Sequence, residues 1–322
     1  MIMKFNTIIL AAGKGTRLQS NSSKVIIPLI NKALILHLLD NISSVITNED
    51  TYLVVGYQAD KVKEVVSSAY PGTQYALQEE QLGTGHAVMQ VKPYIKNWDQ
   101  STLILAGDVP LVSDDLIKEF YSSHIKNKAD ISVLTTNLAE PTGYGRIIRN
   151  GSFLTISKIV EEKDASPKEK ELTEINSGIY FVNTTLLFDL LTKITPNNNQ
   201  NEYYLTDIIK IACTENKTIM PFLFENSDKL RGVNNRKDLT EIASIIYSDT
   251  IKKHQDNGVT VLSPSTTFIS EETVIEPDVI IEPNVIIKGA SVIGEGTIIS
   301  SFSHLVNYTS TKGEIIPPYF QN

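Results

Sequence analysis

Residues 267–308 read TFISEE TVIEPD VIIEPN VIIKGA SVIGEG TIISSF SHLVNY, a run of seven consecutive six-residue units. An aliphatic side chain returns at the same place in every unit: Ile269, Ile275, Ile281, Ile287, Ile293, Ile299 and Leu305. A run of ordinary strands would not keep one aliphatic position in phase over all these units. The fixed period of six predicts a parallel β-helix, in which each unit forms one flat side of a coil.

The chain ahead of these repeats alternates between two patterns. Apolar, β-branched runs typical of buried strands occur at residues 7–12, 52–56, 102–106 and 131–135. Stretches with helical spacing lie between them, such as residues 60–68 and 111–124. Strands that alternate with helices predict an α/β fold with right-handed crossovers and a mostly parallel sheet covered by helices on both faces.

Two segments depart from this alternation. Residues 143–161 contain short extended runs, which predict a substrate-binding insertion with mixed strands. Residues 234–254 predict a closing helix, because a single apolar stripe is formed by Leu239, Ile242, Ala243 and Ile246. We therefore predict an α/β domain over residues 1–234, a linking helix over 235–258 and a short β-helix over 259–322.

Composition restricts the partners and the compartment. With 41% hydrophobic and 20% charged residues, the chain of 322 residues has the composition of a globular protein. The net charge of -8 argues against nucleic acid or a membrane surface as a partner, because both select basic faces. Cys213 is the single cysteine, so no internal disulfide can form. The opening apolar run is too short for a signal peptide, and no stretch reaches the ~18 apolar residues of a spanning helix. We therefore predict a cytoplasmic protein.

The segment from Leu10 to Arg17, LAAGKGTR, follows the first predicted strand. Its glycines let backbone N–H groups approach a phosphate closely, and Lys14 and Arg17 offset the phosphate charge. A Walker A loop needs Gly-Lys-Ser/Thr after a longer spacing, which is absent. A dinucleotide-binding loop of an oxidoreductase needs a third glycine near position 18, where leucine stands. The loop matches the GxGTR loop of sugar-nucleotide pyrophosphorylases, and Lys24 stands where those enzymes hold a second phosphate-binding lysine.

A carboxylate ends the next strongly apolar strand, in the sequence Ala106-Gly107-Asp108. Ligands of open α/β sheets sit at the carboxyl ends of strands, so Asp108 is well placed to hold a metal ion. Magnesium prefers oxygen ligands and needs only one or two protein groups beside substrate phosphates. The alternative is that Asp108 caps the following helix. No HExxH, CxxC or Cys/His cluster is present, which argues against zinc.

Further polar segments are weaker signals individually. Gln78 and the loop QLGTGHA at residues 81–87 offer an amide and exposed backbone, both suited to the edge of a pyrimidine. His86 in that loop is interpreted as structural, since no carboxylate or nucleophile pairs with it in sequence. Polar groups also follow strands or loops at GYGRI (143–147), Glu161, EINSG (174–178) and GVNNR (232–236).

In order along the chain stand LAAGKGTRL, QLGTGHA, AGDVPL, GYGRI, EINSGIY, NEYYLTD and GVNNR, ahead of the hexapeptide repeats. This ordered set closely resembles the bacterial N-acetylglucosamine 1-phosphate uridylyltransferase family, over essentially the whole chain. The resemblance implies a Rossmann-like nucleotidyltransferase domain followed by a short left-handed β-helix that associates as a homotrimer. It also implies Mg²⁺-dependent transfer of uridylyl from UTP to N-acetylglucosamine 1-phosphate, with release of pyrophosphate.

The resemblance further implies roles for individual residues. Those expected at the nucleotide and its phosphates are Leu10, Ala11, Ala12, Gly13, Lys24, Gln78, Gly83 and Thr84. Arg17 and Lys24 would stabilise charge during transfer, and Asp108 and Asn234 would hold the magnesium ion. Those expected at the sugar are Gly145, Glu161, Asn176 and Asn234.

Two features depart from the family. The proline that usually precedes the phosphate-binding lysine is absent from Asn21-Ser22-Ser23-Lys24. The hexad pattern ends near Tyr308, and the later coils that carry the acetyl-transfer histidine and coenzyme A contacts of the bifunctional members are not in this sequence. We interpret His304 as a surface group and expect no acetyltransferase activity. A pyrophosphorylase for another sugar, such as glucose 1-phosphate, and a non-catalytic nucleotide-binding scaffold remain alternatives.

Overall fold

The computed structural model describes residues 3–149, 151 and 155–322. Part of the predicted insertion at 143–161 and the first two residues of the predicted first domain lie outside the described residues. The chain divides into two compact units: Met1–Ile27 with Ala33–Asn235, and Pro28–Lys32 with Arg236–Asn322. The domain boundaries given above remain a prediction. Among the described residues, no helix combines the length and apolarity needed to cross a bilayer.

The strands in chain order are β1 Phe5–Ala11, β2 Pro28–Leu29, β3 Lys32–Ala33, β4 Thr51–Val55, β5 Gln74–Leu77, β6 Ser101–Ala106, β7 Ile131–Asn137, β8 Arg146–Arg149, β9 Ile156–Val160, β10 Glu174–Asn183, β11 Ile219–Leu223, β12 Thr260–Val261, β13 Phe268–Ile269, β14 Val274–Ile275, β15 Ile280–Ile281, β16 Ile286–Lys288, β17 Val292–Ile293, β18 Ile298–Ile299, β19 His304–Val306 and β20 Ile315–Ile316. The helices are α1 Leu34–Ile42, α2 Ala59–Ala69, α3 Thr84–Met89, α4 Asp114–Lys126, α5 Pro167–Lys170, α6 Thr184–Leu191, α7 Asp207–Thr214 and α8 Arg236–Asp256.

The large sheet of the first unit has the strand order β11-β7-β10-β6-β1-β4-β5, and β8 and β9 extend it beside β10. The pairs β1–β4, β1–β6, β4–β5 and β7–β11 are parallel. β10 is antiparallel to β6, β7 and β8, and β8 is antiparallel to β9. The predicted mostly parallel sheet is therefore confirmed, and the mixed strands of the predicted insertion are confirmed within the described residues.

Helices cover both faces of this sheet, because alternate side chains of β1 enter two separate cores. Ile8 belongs to a core that includes Val88 of α3, Leu187 of α6 and Ile208 of α7, all fully buried. On the other face, Ile9 belongs to a core that includes Leu38 of α1, Val62 of α2 and Phe120 of α4. This arrangement is the one expected when parallel strands are buried on both sides.

Strands β1 and β6 lie side by side and end at the same edge of the sheet. Leu10 pairs with Ala106, and the backbone N–H of Gly107 donates to the carbonyl of Leu10 at 2.9 Å. The glycine-containing loop after β1 and the carboxylate of Asp108 after β6 therefore leave the sheet as neighbours. The fold thus brings the two strongest sequence motifs together at the edge where α/β proteins bind ligands.

The second unit contains α8 and the coils of the β-helix. The predicted closing helix is present, with Ile242 and Ile246 of its stripe buried. The short strands stack in parallel in the orders β12-β15-β18-β20, β13-β16-β19 and β14-β17. In the stack β13-β16-β19, Ile269 pairs with Ile287, and Ile287 pairs with Leu305. Each step there is 18 residues, or three units, so each coil has three sides, and the predicted β-helix is confirmed.

All seven repeating aliphatic side chains point inward and are at most 7% exposed. The coil also continues past the last strict unit near Tyr308, because Ile316 of β20 is fully buried and pairs with Ile299 of β18. That step is 17 residues instead of 18. The loss of one residue breaks the six-residue phase, which is why the sequence pattern ends before the coil does.

Candidate active site

A cavity of about 230 Å³ opens at the edge of the sheet where β1 ends. Its lining residues are Leu10, Ala12, Gly13, Gln78, Gln81, Gly83, Thr84, Ala87 and Glu202. Six of them are residues expected at the nucleotide: Leu10, Ala12, Gly13, Gln78, Gly83 and Thr84. The side chain of Ala11 is buried in the core on the opposite face of the sheet, and Lys24 does not line the cavity.

The loop before α3 forms one wall of this cavity and depends on a glycine. Gly83 has φ +115°, and a Cβ placed on it would lie 2.6 Å from the carbonyl oxygen of Tyr203. Tyr203 runs alongside this loop: its N–H donates to Leu82 O at 2.8 Å, and its carbonyl accepts from Gly85 N–H at 2.8 Å. Both the backbone angle and the close approach therefore exclude a side chain at position 83.

Two glutamine amides tie the cavity wall together. Gln78 is 4% exposed, and its Nε2 donates to the carbonyl of Gly83 at 3.1 Å. Gln81, which belongs to the loop predicted to suit a pyrimidine but had no role of its own, donates from Nε2 to the carbonyl of Ala12 at 2.8 Å. The ring nitrogens of His86 lie 3.1 Å from the amides of Gln78 and Gln90, which agrees with its interpretation as a structural residue.

Four predicted residues form a charged cluster. Lys24 Nζ makes an ion pair with Asp108 Oδ2 and lies 3.1 Å from Asn234 Oδ1. Arg17 Nη2 donates to the same oxygen of Asn234 at 3.3 Å. The Lys24 and Asp108 side chains are 14% and 21% exposed, so their pair is partly shielded from water. The cluster thus unites the residues predicted for charge stabilisation with those predicted for the metal.

The backbone explains how this cluster forms. Arg17 and Lys24 lie on the short 3-10 turns Thr16–Leu18 and Lys24–Ile26. The Val233 N–H donates to the carbonyl of Asp108 at 2.9 Å, which places the Asn234 segment beside the end of β6. Three distant parts of the chain therefore converge on one cationic centre.

The donor set of the cluster fits a hard divalent cation. The Asp108 carboxylate and the Asn234 amide each present an oxygen to the Lys24 ammonium, and Arg17 also reaches the Asn234 oxygen. Oxygen ligands in this number suit magnesium, which takes its remaining ligands from water and substrate phosphates. In the part of the chain that the structure describes, no three His, Cys, Asp or Glu side chains are grouped for a metal ion.

The residues predicted for the sugar lie together in a second cluster. The Asn176 N–H donates to the carbonyl of Gly145 at 2.9 Å, and its Nδ2 donates to the hydroxyl of Tyr180 at 2.6 Å. A Cβ placed on Gly145 would lie 3.5 Å from Glu161 Oε2. Asn234, predicted for both the sugar and the metal, lies in the charged cluster instead.

Glu161 is held in a buried environment by a residue that sequence reasoning missed. The hydroxyl of Thr206 donates to Glu161 Oε1 at 2.9 Å. Burial raises the pKa of Glu161, the Thr206 hydrogen bond opposes that rise, and the carboxylates of Asp164, Asp207 and Glu202 add to it. Glu202 and Thr206 both belong to the motif NEYYLTD, which carried the resemblance without assigning either residue a role.

Comparison with known proteins places this architecture in a family. A model of the nucleotidyl transferase family matches residues 6–254. The chain belongs to the nucleotidyl transferase family. A model of the bacterial transferase hexapeptide, covering six repeats, matches residues 272–307 of this nucleotidyl transferase. The two models match the predicted order of a nucleotidyltransferase fold followed by hexapeptide repeats.

Similar proteins cover almost all of this nucleotidyl transferase. The bifunctional protein GlmU of Geobacillus thermodenitrificans is 40% identical over 306 residues, which are 95% of this chain and 66% of that protein. The bifunctional proteins GlmU of Enterococcus faecalis and Clostridioides difficile are each 41% identical, over 93% and 95% of this chain and 64% and 65% of their own lengths. The chain therefore spans about two thirds of the length of the curated relatives it matches.

The crystal structure of HddC from Yersinia pseudotuberculosis has a similar fold, with a TM-score of 0.55 and 18% sequence identity. The match covers 75% of this chain and 99% of that chain. At this identity, the likeness supports the fold alone.

Proposed function

We propose that this nucleotidyl transferase transfers the uridylyl group of UTP to N-acetylglucosamine 1-phosphate with Mg²⁺ and releases pyrophosphate. The observation that carries the proposal is the cavity of about 230 Å³, lined by Leu10, small side chains, backbone, two glutamine amides and the carboxylate of Glu202. Nucleotide-sized and drug-sized ligands occupy sites of roughly 300–1,000 Å³. The smaller volume suits a nucleobase, with the rest of the nucleotide extending outside the cavity.

Apart from Glu202, the lining consists of uncharged groups that suit a pyrimidine edge. Gln78 and Gln81 supply amides, while Gly83 and Thr84 supply backbone groups and a hydroxyl. A uracil edge alternates hydrogen-bond acceptors and a donor, which amide and backbone groups complement. The loop after β1, with Gly13 at the cavity, would then lead the nucleotide phosphates toward the basic residues that follow it.

The charged cluster supplies what phosphoryl-type transfer requires. Arg17 and Lys24 stabilise the negative charge on the phosphates, and they orient the α-phosphorus for in-line attack by the sugar-phosphate oxygen. Asp108 and Asn234 would hold Mg²⁺, which when bound neutralises charge on the phosphate oxygens. A phosphate monoester is already ionised at neutral pH, so the attacking oxygen needs no general base.

The second cluster is the proposed sugar site. Glu161 offers a carboxylate oxygen to sugar hydroxyls, and Asn176 offers an amide to the acetamido group. Thr206 fixes the direction of the Glu161 carboxylate through its hydrogen bond. We further propose that the protein is cytoplasmic and that copies associate as a homotrimer through the β-helix.

The test is pyrophosphate release from UTP with N-acetylglucosamine, glucosamine and glucose 1-phosphates, each with and without Mg²⁺. Mg²⁺-dependent release with the N-acetylated sugar alone is expected. Release with glucose 1-phosphate instead would keep the chemistry and reassign the sugar. No release with any of them would favour a nucleotide-binding scaffold without catalysis.

A further inference from the structure

The Lys24 ammonium occupies the place between the two oxygens proposed to hold the metal. It makes an ion pair with Asp108 Oδ2 and lies 3.1 Å from Asn234 Oδ1. A magnesium ion sits about 2.1 Å from each of its oxygen ligands. A metal ion bound to both oxygens would therefore have to stand where the ammonium group now stands.

We propose that Lys24 is an internal competitor for the metal site, and that a divalent cation and the Lys24 ammonium occupy this site in exchange. The proposal rests on the proposed function, in which Asp108 and Asn234 are the metal ligands. Before the metal arrives, Lys24 neutralises the Asp108 carboxylate, which is only 21% exposed. When the metal arrives with the nucleotide, the displaced ammonium becomes available to a phosphate oxygen.

The alternative is a permanent structural ion pair, with the metal bound elsewhere on the carboxylate. Asn234 argues for exchange, because its Oδ1 faces the same ammonium as Asp108 Oδ2. A metal ion on the far side of Asp108 would lose this second oxygen. Arg17 also reaches Asn234 Oδ1, at 3.3 Å, so the amide oxygen stays oriented toward the cationic centre when Lys24 leaves.

The chain offers a matched control on the same loop. Lys14 carries the same charge, and its Nζ lies 5.3 Å from the centroid of the Tyr57 ring. Lys24→Met and Lys14→Met thus change the net charge equally, while only the former removes the ammonium from Asp108. Any difference between the two variants reports the local contact, because the long-range charge effect is common to both.

The experiment measures Mn²⁺ binding to the full chain without nucleotide, from the electron paramagnetic resonance signal of free Mn²⁺. Removing a competing ion pair of this partly exposed kind should tighten binding by about fivefold in Lys24→Met relative to Lys14→Met. Equal or weaker binding in Lys24→Met would overturn the exchange. Asp108→Asn distinguishes failure of the exchange from failure of the metal assignment. If Asp108→Asn leaves Mn²⁺ binding unchanged, Asp108 is not a metal ligand, and the proposed exchange fails with that assignment.

A second measurement uses the unsubstituted chain and does not depend on any variant folding. Amine-reactive labelling, followed residue by residue by mass spectrometry, compares Lys24 and Lys14 with and without Mg²⁺. Exchange predicts that Mg²⁺ speeds labelling of Lys24 and leaves Lys14 unchanged. Slower or unchanged labelling of Lys24 under Mg²⁺ concentrations that saturate the site would contradict it.

Discussion

Substitution of Gly83 by alanine tests the geometry of the proposed base site. An alanine at position 83 would have to adopt φ +115° and ψ 173°, a backbone conformation open essentially only to glycine, which costs another residue about 1–3 kcal/mol. Its Cβ would also lie 2.6 Å from Tyr203 O, well inside the normal contact distance of about 3.5–4 Å, so the loop must move by several tenths of an ångström or more. Misplacement of binding groups by about 1 Å can lower rates about 100-fold. We therefore expect kcat/KM for UTP to fall by about 10- to 100-fold.

Gly72→Ala is the control, since Gly72 has φ +99° and a Cβ there would meet only Asn48 Cβ at 3.4 Å. It shares the backbone strain and lies between α2 and β5, outside the cavity lining. Both variants should lose about 1–3 kcal/mol of unfolding free energy from the backbone strain, measured by urea denaturation. Only Gly83→Ala should impair UTP use in the pyrophosphate-release assay. Equal kcat/KM for UTP in the two variants would refute the argument that position 83 shapes the base site.

Four further outcomes are expected. Asp108→Asn should lower turnover by at least about 100-fold with an unchanged circular dichroism spectrum, and unchanged turnover would remove Asp108 from the metal site. Thr206→Val should raise KM for the sugar phosphate by about tenfold, because loss of one hydrogen bond to a charged group costs about 1.5 kcal/mol. Thr206→Ser keeps the hydroxyl and should keep the KM of the unsubstituted chain. Equal KM values in the two variants would show that Thr206 does not position Glu161. The pKa of Glu161 is raised in the folded state, so the folded chain loses stability as pH rises above about 4.5 and this carboxyl ionises. In urea denaturation, the unfolding free energy of the unsubstituted chain should therefore fall with pH relative to that of Glu161→Gln. Parallel pH profiles of the two proteins would contradict this. Ile287→Ala should destabilise the β-helix by about 2–5 kcal/mol in thermal unfolding without changing UTP binding, and loss of UTP binding would tie the β-helix to the nucleotide site.

The regular elements were predictable because their signals repeat. The inward position of each hexad returns every six residues, so the seven buried aliphatic side chains could be recognised from sequence. The coil that contains Ile316 could not, since one missing residue moves it out of phase. The antiparallel placement of β10 was also unforeseen, because its apolar run has the same appearance as those of the parallel strands.

The candidate site was predictable where its residues follow strands. Asp108 and the loop after β1 adjoin because parallel neighbouring strands end at one edge of the sheet. The individual contacts of Gln81 and Thr206 gave no such signal, since they join loops distant in sequence: Gln81 to Ala12, and Thr206 to Glu161. Such contacts depend on how the loops pack, which no local periodicity encodes.

We propose that the cavity selects uracil for transfer to a sugar phosphate. The most direct test of this selection is the kcat/KM for pyrophosphate release from UTP, CTP, ATP and GTP, each with N-acetylglucosamine 1-phosphate and Mg²⁺. We expect kcat/KM for UTP to exceed that for every other nucleotide by at least about 100-fold, because a hydrogen-bonding site rejects a base that leaves its polar atoms unpaired. Equal use of the four nucleotides, or preference for a purine, would contradict it.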